Sequence, residues 1–336
     1  MTSTDRTDDN RTVLDSWDYL QSPKTPAVKL FRALASKRKK RAKEGITVVE
    51  GLRLVTDLLG DSRTRGFFRH VLVTEGALNH PDYGGKLMDG LVKMTDDAGG
   101  AARISLGSEE VVSAACDTVT PQGVVASISI PDPYVGPEAE GGSSATENGT
   151  GRTYLVLDGL ADPGNVGTLL RTSLACSVSA VLLISNSCDV FNPKALRGAM
   201  GSAFRVPVRR VDSFDECLEL LGRWGVDSGR VYAATMDGSE GGGKLSLPYH
   251  DINWISKSTD ISATGVTAGS ALILGKEGEG LSFAVREAVR SGQIRAVHVP
   301  MAEGVESLNA AVCGSVILFE GLKQRKEYHT GKERES

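Results

Sequence analysis

The chain has 336 residues, of which 40% are hydrophobic, and its formal net charge is −4. At roughly 100 to 200 residues per domain, this length predicts about two domains with ordinary packed cores. The five cysteines never form a Cys-x-x-Cys pair and the five histidines are dispersed, so the sequence predicts reduced thiols and no metal site. No apolar run approaches the ~18 residues of a membrane-spanning helix, so no membrane partner is expected.

The first 131 residues predict a polar tail and an α/β domain. The chain begins with MTSTDRTDDNRT, which has three aspartates and no apolar core. Residues 1–20 are therefore expected to be a disordered tail, with neither a secretory signal nor a clear transit peptide. Cytoplasm is the default location, with a mitochondrion or plastid as the alternative. From Pro26 a helical pattern begins, and strand and helix patterns then alternate up to GVVASISI, which favours a compact α/β domain over 21–131.

Positive charge is concentrated near the start of this domain. Between Lys24 and Arg69 there are thirteen Lys or Arg residues against four Asp or Glu, although the whole chain is acidic. The densest run consists of Lys37, Arg38, Lys39, Lys40 and Arg41. Such a run is either a solvated helix end or a patch that contacts RNA phosphates, and the residues alone leave both interpretations open.

A stretch with few apolar residues separates this domain from the next. Residues 132–152 are rich in Gly, Pro, Ser and Glu, which predicts a flexible linker. Strand and helix patterns then alternate again, and they predict a second domain over 153–328 with about six mostly parallel strands, followed by a tail at 329–336. Ser307 is predicted to cap the last helix, which would carry Leu308, Val312, Ile317 and Leu322 inward.

Three polar stretches each follow a predicted strand of the second domain. Asn165 is predicted to cap a helix that has Gly167 and Arg171 near its beginning. Glycine in the first turns of a helix is costly unless something approaches it closely. GKEGEG follows the strand Ala271–Leu274, and the loop at 301–306 follows the strand Ala296–Val299. Because loops after parallel strands share one edge of the sheet, the three are expected to meet there and bind a ligand.

A competing phosphate-loop interpretation is weaker. Gly238–Lys244 fits the pattern GxxxxGK after a predicted strand. A phosphate-binding loop needs Ser or Thr next, but Leu245 follows and Pro248 interrupts any helix. The dinucleotide pattern GxGxxG is absent from the chain. A nucleotidase or a Rossmann cofactor enzyme is therefore disfavoured.

The three stretches together resemble the motifs of the SpoU (TrmH-type) RNA ribose 2′-O-methyltransferases of the SPOUT superfamily. The matching residues are Asn165-x-Gly167-x-x-x-Arg171, Leu274-Gly275-x-Glu277-Gly278-x-Gly280-Leu281-Ser282 and Val299-Pro300-Met301 … Glu306-Ser307-Leu308-Asn309. The resemblance covers about 153–326. SPKTPAVKLFRAL, RKKRAKEGITVVEG and TPQGVVA also resemble that family's N-terminal substrate-binding domain of ribosomal-protein type.

The resemblance implies an α/β fold with a parallel sheet whose C-terminal part forms a deep trefoil knot. It further implies a homodimer that uses S-adenosylmethionine to methylate a ribose 2′-hydroxyl of RNA, with rRNA ahead of tRNA. The alternative is a non-catalytic RNA-binding or ribosome-assembly protein that retains the fold, and the intact motif residues argue against it.

Site residues carried over by the resemblance fall into three groups. The catalytic group is Asn165, Arg171, Glu277, Ser307 and Asn309. The cofactor group is Gly275, Gly278, Gly280, Val299, Met301 and Leu308. The expected RNA contacts are the basic run from Lys37 to Arg41, on account of its charge, and Arg197, whose motif RGAMG has Ala199 where members often have Ser. Arg171 suits a bidentate grip on a phosphate, with Glu277 fixing its guanidinium, and the chemistry needs no metal.

Overall fold

The computed structural model describes residues 14, 16–97, 101–136, 151–235, 246–255, 269–305 and 307–335. The predicted phosphate loop Gly238–Lys244 and most of the predicted tail and linker lie outside the described residues. The chain divides into two compact units. The first is Met1–Pro131 with Phe191–Arg197, and the second is Asp132–Val190 with Gly198–Ser336.

A five-stranded sheet forms the centre of the first unit. Its strands are β1 Asp18–Leu20, β2 Ile46–Glu50, β3 Phe68–Val73, β4 Arg103–Gly107 and β5 Val124–Ser129. They lie in the order β1-β4-β3-β5-β2, with β1, β4 and β3 parallel and β5 antiparallel to both of its neighbours. The expectation that the tail extends to residue 20 is wrong at its end, because Asp18–Leu20 pairs with β4.

Seven helices of the described residues accompany this sheet, and the apolar pattern predicts only the longer ones and the last of them. The seven are α1 Pro26–Ser36, α2 Arg38–Glu44, α3 Leu52–Gly60, α4 Ser62–Arg65, α5 Glu75–Leu78, α6 Gly84–Asp97 and α7 Glu109–Ala115. Thr25 caps α1 and Pro26 occupies its first turn, so the helix starts where a proline is tolerated. Its buried residues Val28, Phe31 and Leu34 share one face and pack into the apolar core.

A seven-stranded parallel sheet forms the second unit. Its strands are β6 Thr153–Asp158, β7 Ala180–Ile184, β8 Val208–Val211, β9 Val231–Ala234, β10 Leu247–Pro248, β11 Ser270–Gly275 and β12 Arg295–His298. Their order is β10-β12-β9-β11-β6-β7-β8, and every pairing is parallel. All six residues of β6 are buried, as expected of a central strand covered on both faces. The predicted parallel α/β sheet is confirmed, while the trefoil knot stays a prediction.

Five α-helices of the described residues lie between or after these strands in sequence. They are α8 Pro163–Ala175, α9 Pro193–Ala199, α10 Phe214–Arg223, α11 Phe283–Ser291 and α12 Ala310–Glu335. Four belong to the second unit, and the fifth, α9, begins in the segment Phe191–Arg197 of the first unit. No helix of the described residues is long and apolar enough to cross a membrane.

The inward face of the last helix, α12, agrees only in part with the predicted one. Leu308 and Val312 are exposed, whereas Ile317 is buried. A Cβ at Gly314 would lie 2.4 Å from Leu274 Cδ1, so this glycine lets the helix approach β11 closely. The apolar period misses the orientation because it gives a glycine no weight, although the close packing here depends on one.

Hydrogen bonds anchor α12 at its start and again at Arg325. The Asn309 side-chain oxygen accepts from the amides of Ala311 (2.9 Å) and Val312 (3.3 Å), so Asn309 caps the helix and the prediction of Ser307 as cap is wrong. Further along, the buried Arg325 guanidinium donates to Thr153 Oγ1 (2.6 Å) and to a backbone carbonyl oxygen (2.7 Å). These bonds tie the helix to the first strand of the sheet.

Candidate functional site

Loops that follow three neighbouring parallel strands, β9, β11 and β12, line one cleft in the second unit, and the loop after β6 leaves the same edge of the sheet. The strands β12, β9, β11 and β6 are adjacent, so the loops after them leave the same edge of the sheet. The cleft has a volume of about 260 Å³, close to the lower end of the ~300–1,000 Å³ range for small-molecule sites. Its lining includes all six residues expected to contact the cofactor, together with Glu277, Ser307 and Asn309. The sequence therefore brings the second and third motifs together at one site.

The turn after β11 forms one wall of the cleft. Lys276 N donates to Gly280 O (2.9 Å) and Gly280 N donates to Lys276 O (3.1 Å), which closes a tight loop. A Cβ at Gly275 would lie 2.5 Å from Gly280 O, so no side chain fits there. Gly278 and Gly280 have φ values of +77° and +72°, which glycine adopts without strain. The result is a narrow turn that presents backbone groups to the cleft.

Three side chains from the three motifs form a hydrogen-bonded chain. Asn165 Nδ2 donates to Glu277 Oε1, and Asn309 Nδ2 donates to Asn165 Oδ1 at 3.1 Å. The Asn309 oxygen is occupied by its helix cap, so its amide can only donate here. This fixes the orientation of Asn165, whose amide must then donate to Glu277. The chain connects residues far apart in sequence and holds the Glu277 carboxylate in one place.

Asn165 itself does not cap α8. Asp162 is the N-cap, and its side chain accepts from Asn165 N, with Pro163 in the first turn. The prediction that Asn165 starts the helix is therefore wrong by three positions. This shift places the Asn165 side chain inside the first turn, where it is free to reach Glu277.

Arg171 lies apart from this chain of hydrogen bonds. It is exposed on α8, does not line the cleft and has no hydrogen bond or ion pair with another described residue. The predicted pairing of Arg171 with Glu277 is wrong. Six residues at about 100° each place Arg171 about 240° around the helix from Asn165, so the two side chains leave different faces.

Gly167 is explained by helix packing. It is buried in α8, and a Cβ at Gly198 of α9 would lie 3.4 Å from the Gly167 Cα. The close approach predicted at this glycine is confirmed, but the neighbour is another backbone, and nothing here requires a ligand.

Two residues of the site escaped the sequence reasoning. Asp158, at the end of β6, is 3% exposed and its Oδ2 accepts from Ser282 N at 2.7 Å. This bond ties the far end of the glycine turn to the central strand. Cys313 lines the cleft, and burial raises the pKa of its thiol to about 11, so the thiol stays protonated at neutral pH. The available signal for Asp158 was an acidic residue at the end of an otherwise apolar strand.

The expected RNA-contacting residues are not equivalent. Lys37, Arg38 and Lys39 are exposed, whereas Lys40 pairs with Glu44 at 2.8 Å. Arg41 is 3% exposed and donates to Leu34 O at 2.7 Å. The assignment of Arg41 as an RNA contact is therefore wrong, because its guanidinium closes the end of α1.

Arg197 is also engaged within the first unit. Its guanidinium pairs with the carboxylate of Glu50, which is 7% exposed, and lies 3.9 Å from Asp117. It is not presented as a free cation. Among the described residues, no group of three or more His, Cys, Asp or Glu side chains is placed to hold a metal ion.

Comparison with known proteins gives matches for both units. Residues 152–319 match the SpoU rRNA Methylase family, and residues 25–126 match an MRM3-like substrate binding domain. The chain is 27% identical to the 23S rRNA (guanosine(2553)-2′-O)-methyltransferase RlmP of Bacillus subtilis, over 89% of this chain and 97% of the relative. It is 30% identical to the mitochondrial rRNA methyltransferase 3 of Mus musculus, over 62% of this chain and 54% of the relative.

Solved structures agree with these matches. The crystal structure of an AdoMet-bound rRNA methyltransferase from Sinorhizobium meliloti superposes with a TM-score of 0.68 at 25% identity, over 91% of this chain and 97% of that one. An AdoMet complex of the SpoU methyltransferase AviRb from Streptomyces viridochromogenes, at 21% identity and a TM-score of 0.65, shares the fold. The resemblance found in the three motifs is confirmed, and the chain belongs to the SpoU rRNA methylase family.

Proposed function

We propose that this protein transfers a methyl group from S-adenosylmethionine to a ribose 2′-hydroxyl of rRNA. The observation that carries the proposal is the chain Asn309–Asn165–Glu277, which ends in a carboxylate at the rim of a cleft lined by backbone. The relatives named above act on rRNA, and one of the matching structures holds AdoMet. The mouse relative is mitochondrial, so an organelle stays an alternative to the cytoplasm.

The cleft fits the adenosine part of the cofactor in shape and chemistry. Gly275 leaves no side chain between the turn and the cleft, so the backbone at Gly275, Val299 and Leu308 can hydrogen-bond a base and a ribose. Leu274 and Cys313 provide an apolar wall. When bound, S-adenosylmethionine supplies a methyl group on a sulfonium centre, which is already electrophilic. The protein must therefore mainly align the hydroxyl and stabilise the charge that develops on it.

Glu277 is proposed to orient the attacking hydroxyl. One of its carboxylate oxygens accepts from Asn165, and the other has no partner among the described residues. A carboxylate is an acceptor only, so this second oxygen can take the hydrogen bond of the ribose 2′-hydroxyl. Asn165 and Asn309 act as positioning residues, and Ser307, exposed at the cleft, offers a neutral hydrogen bond to the nucleotide.

Arg171 is proposed to bind the phosphate next to the reacting ribose. Its guanidinium has no described partner and is exposed, so it can offer two parallel N–H groups to a phosphate. There it acts as a fixed positive charge that holds the phosphate. It does not act as a base, because a guanidinium keeps its proton at any physiological pH.

The first unit is proposed to contact RNA phosphates through Lys37, Arg38 and Lys39. Each such contact releases counterions, so neutralising all three should weaken RNA binding and flatten its dependence on salt. Since Arg41 is buried and bonded to Leu34 O, it is left unchanged in this variant. An unchanged salt slope would assign the run to a solvated helix end.

A homodimer is supported by apolar side chains exposed on two packed helices. Leu174 on α8 is 37% exposed, and Val312 and Phe319 on α12 are each 49% exposed. Thr172 and Ser315 join the two helices, with their hydroxyl oxygens 2.8 Å apart. Val312 and Phe319 are two turns apart and share a face. Apolar groups clustered in this way favour burial against a second copy.

The test combines cofactor binding with methyl transfer. We expect calorimetry to detect S-adenosylmethionine binding to the full chain. We also expect the purified protein to methylate one ribose in rRNA that is taken from cells lacking it. Arg171→Ala should lower methyl transfer at least about a hundredfold while cofactor affinity changes little. Arg290→Ala removes an exposed arginine of the same unit that pairs with Glu287, and should change neither quantity. A folded protein that binds no S-adenosylmethionine would instead be a scaffold.

A further inference from the structure

A second cavity, of about 460 Å³, lies in the first unit. The strands β3 and β4 end at this edge of their sheet, and the antiparallel β5 begins there, with Val73 opposite Val124. The cavity therefore sits at a carboxyl edge, where open α/β sheets receive ligands. The basic run on α2 does not line it.

Polar groups converge on this cavity without satisfying one another. Arg53 and Glu109 both line it and are exposed, yet neither has a hydrogen bond or ion pair with another described residue. Gln122 Oε1 accepts from Leu52 N at 3.0 Å, so the Gln122 amide nitrogen remains as a donor. A Cβ at Gly76 would lie 3.1 Å from Glu109 Oε1, so the glycine makes room for that carboxylate.

Aromatic faces complete the lining. The rings of His80 and Tyr83 lie 5.4 Å apart at an interplanar angle of 55°, and both border the cavity. His80 Nδ1 accepts from Asp82 N at 3.2 Å, which holds the imidazole in position. A planar ring can stack on such a pair, and unpaired RNA bases are commonly held by aromatic side chains in this way.

The hydrogen-bonding groups of the cavity, a carboxylate and an amide donor, match one RNA base better than the others. A carboxylate is an acceptor only, and guanine presents two adjacent N–H donors on its Watson–Crick edge with the O6 acceptor beside them. Glu109 matches the two donors, and the Gln122 amide matches O6. Arg53 is the cation that can take the backbone phosphate of the same nucleotide. Uracil offers one donor between two acceptors, and the carboxylate would face an acceptor.

We propose that this cavity binds an unpaired guanosine of the RNA substrate, stacked on His80 and Tyr83 and read by Glu109. The proposal rests on the RNA substrate given under the proposed function and adds a site that reads sequence, whereas the basic run would contact phosphates of any sequence. A simpler explanation for Glu109 is that it favours the start of α7 electrostatically. Glu110 is its neighbour in the same first turn and does not line the cavity, so it separates the two explanations.

The experiment measures binding of the full chain to labelled single-stranded RNA by fluorescence anisotropy. The probes are 20-nucleotide uridine strands with one central residue, which is guanosine, adenosine, cytidine or uridine. We expect the guanosine strand to bind about tenfold more tightly than the uridine strand. Glu109→Gln should abolish this preference, and Glu110→Gln should keep it. Arg53→Gln should weaken the binding of all four RNA strands alike and reduce the dependence of binding on salt.

Three outcomes would overturn the proposal. They are equal binding of the four strands by the wild-type chain, a guanosine preference that survives Glu109→Gln, and loss of the preference in Glu110→Gln. Free guanosine monophosphate that competes at the same concentration as the strand would show a nucleotide site and not an RNA site. S-adenosylmethionine binding, measured on the same samples, reports folding and the proposed function separately, so methyl transfer without guanosine preference would reject only this cavity.

Discussion

Asn309 has two functions, capping α12 and orienting Asn165, and each depends on a different atom. Substitutions can therefore separate them. Its Oδ1 caps α12 through bonds to Ala311 N (2.9 Å) and Val312 N (3.3 Å), while its Nδ2 donates to Asn165 Oδ1 (3.1 Å). Asn309→Ala removes both functions. Asn309→Asp keeps an oxygen for the cap and removes only the donor.

The expected magnitudes follow from these bonds. Loss of an N-cap costs about 1 kcal/mol, and loss of an exposed side-chain hydrogen bond costs about 0.5–1 kcal/mol. Asn309→Ala should therefore lower the free energy of unfolding by about 1.5–2 kcal/mol. Asn309→Asp should lower it by at most about 0.5 kcal/mol, because a carboxylate caps a helix and favours its positive end.

Activity should depend on Asn309 Nδ2, which donates to Asn165. Without the amide donor, nothing orients Asn165, and Glu277 is no longer held at the cleft. Both Asn309 variants should therefore lower kcat by roughly tenfold to a hundredfold, since a small misplacement of a reacting group costs about that much. The assays are urea unfolding and single-turnover methyl transfer to rRNA. An Asn309→Asp protein with full activity, or one as unstable as Asn309→Ala, would refute the division of roles.

The remaining predictions concern packing, charge and assembly. Gly275→Ala places a methyl group 2.5 Å from Gly280 O, so calorimetry should show at least tenfold weaker S-adenosylmethionine binding, about 1.4 kcal/mol. Arg325→Met leaves two buried acceptors unpaired and should cost about 1–3 kcal/mol of unfolding free energy with cofactor affinity unchanged. Burial lowers the pKa of His70, so the unfolded chain takes up a proton first as the pH falls below about 6.5; the wild-type unfolding free energy should fall there more steeply than that of His70→Gln. Phe319→Glu should convert a dimer to a monomer in sedimentation, and an unchanged mass would place the interface elsewhere.

The strands at the centre of the second unit could be predicted from the sequence. Thr153–Asp158 and Ala180–Ile184 are strands in the structure over the predicted residues, because a strand buried on both faces is a continuous apolar run. The two-residue edge strand Leu247–Pro248 has no such signal. It brings the sheet to seven strands, where the pattern predicts about six.

The starts of α8 and α12 are predicted less well than the strands, because more than one residue could form each cap. Several residues near a helix start can cap it, and the choice depends on which side chain reaches the free amides. At α8 the sequence offers both Asp162 and Asn165, and Asp162 with the following Pro163 forms the cap. At α12 it offers Ser307 and Asn309, and Asn309 forms it. Proline directly after a candidate cap is the better indicator in the first case.

The site was predictable as a set of loops but not as a set of contacts. Parallel strands bring the loops to one edge, so the grouping follows from topology. The partner of Glu277 depends on side-chain directions, which the turn of α8 decides. Glu277 binds Asn165, and Arg171 has no partner among the described residues, which differs from the expected pairing. This outcome leaves the guanidinium available to a phosphate, which an intramolecular ion pair would have prevented.

The acidic balance of the chain is compatible with an RNA substrate because charge and chemistry are separated along it. The exposed cations Lys37, Arg38 and Lys39 belong to the first unit. The lining of the cleft in the second unit includes apolar side chains, the Glu277 carboxylate and Lys276, which pairs with Glu279. Phosphate contacts weaken with salt, whereas short-range hydrogen bonds within a cleft respond little. The affinity for RNA is therefore expected to depend mainly on the first unit, and the rate of methyl transfer on bound RNA mainly on the second. Salt should act on the first quantity far more than on the second.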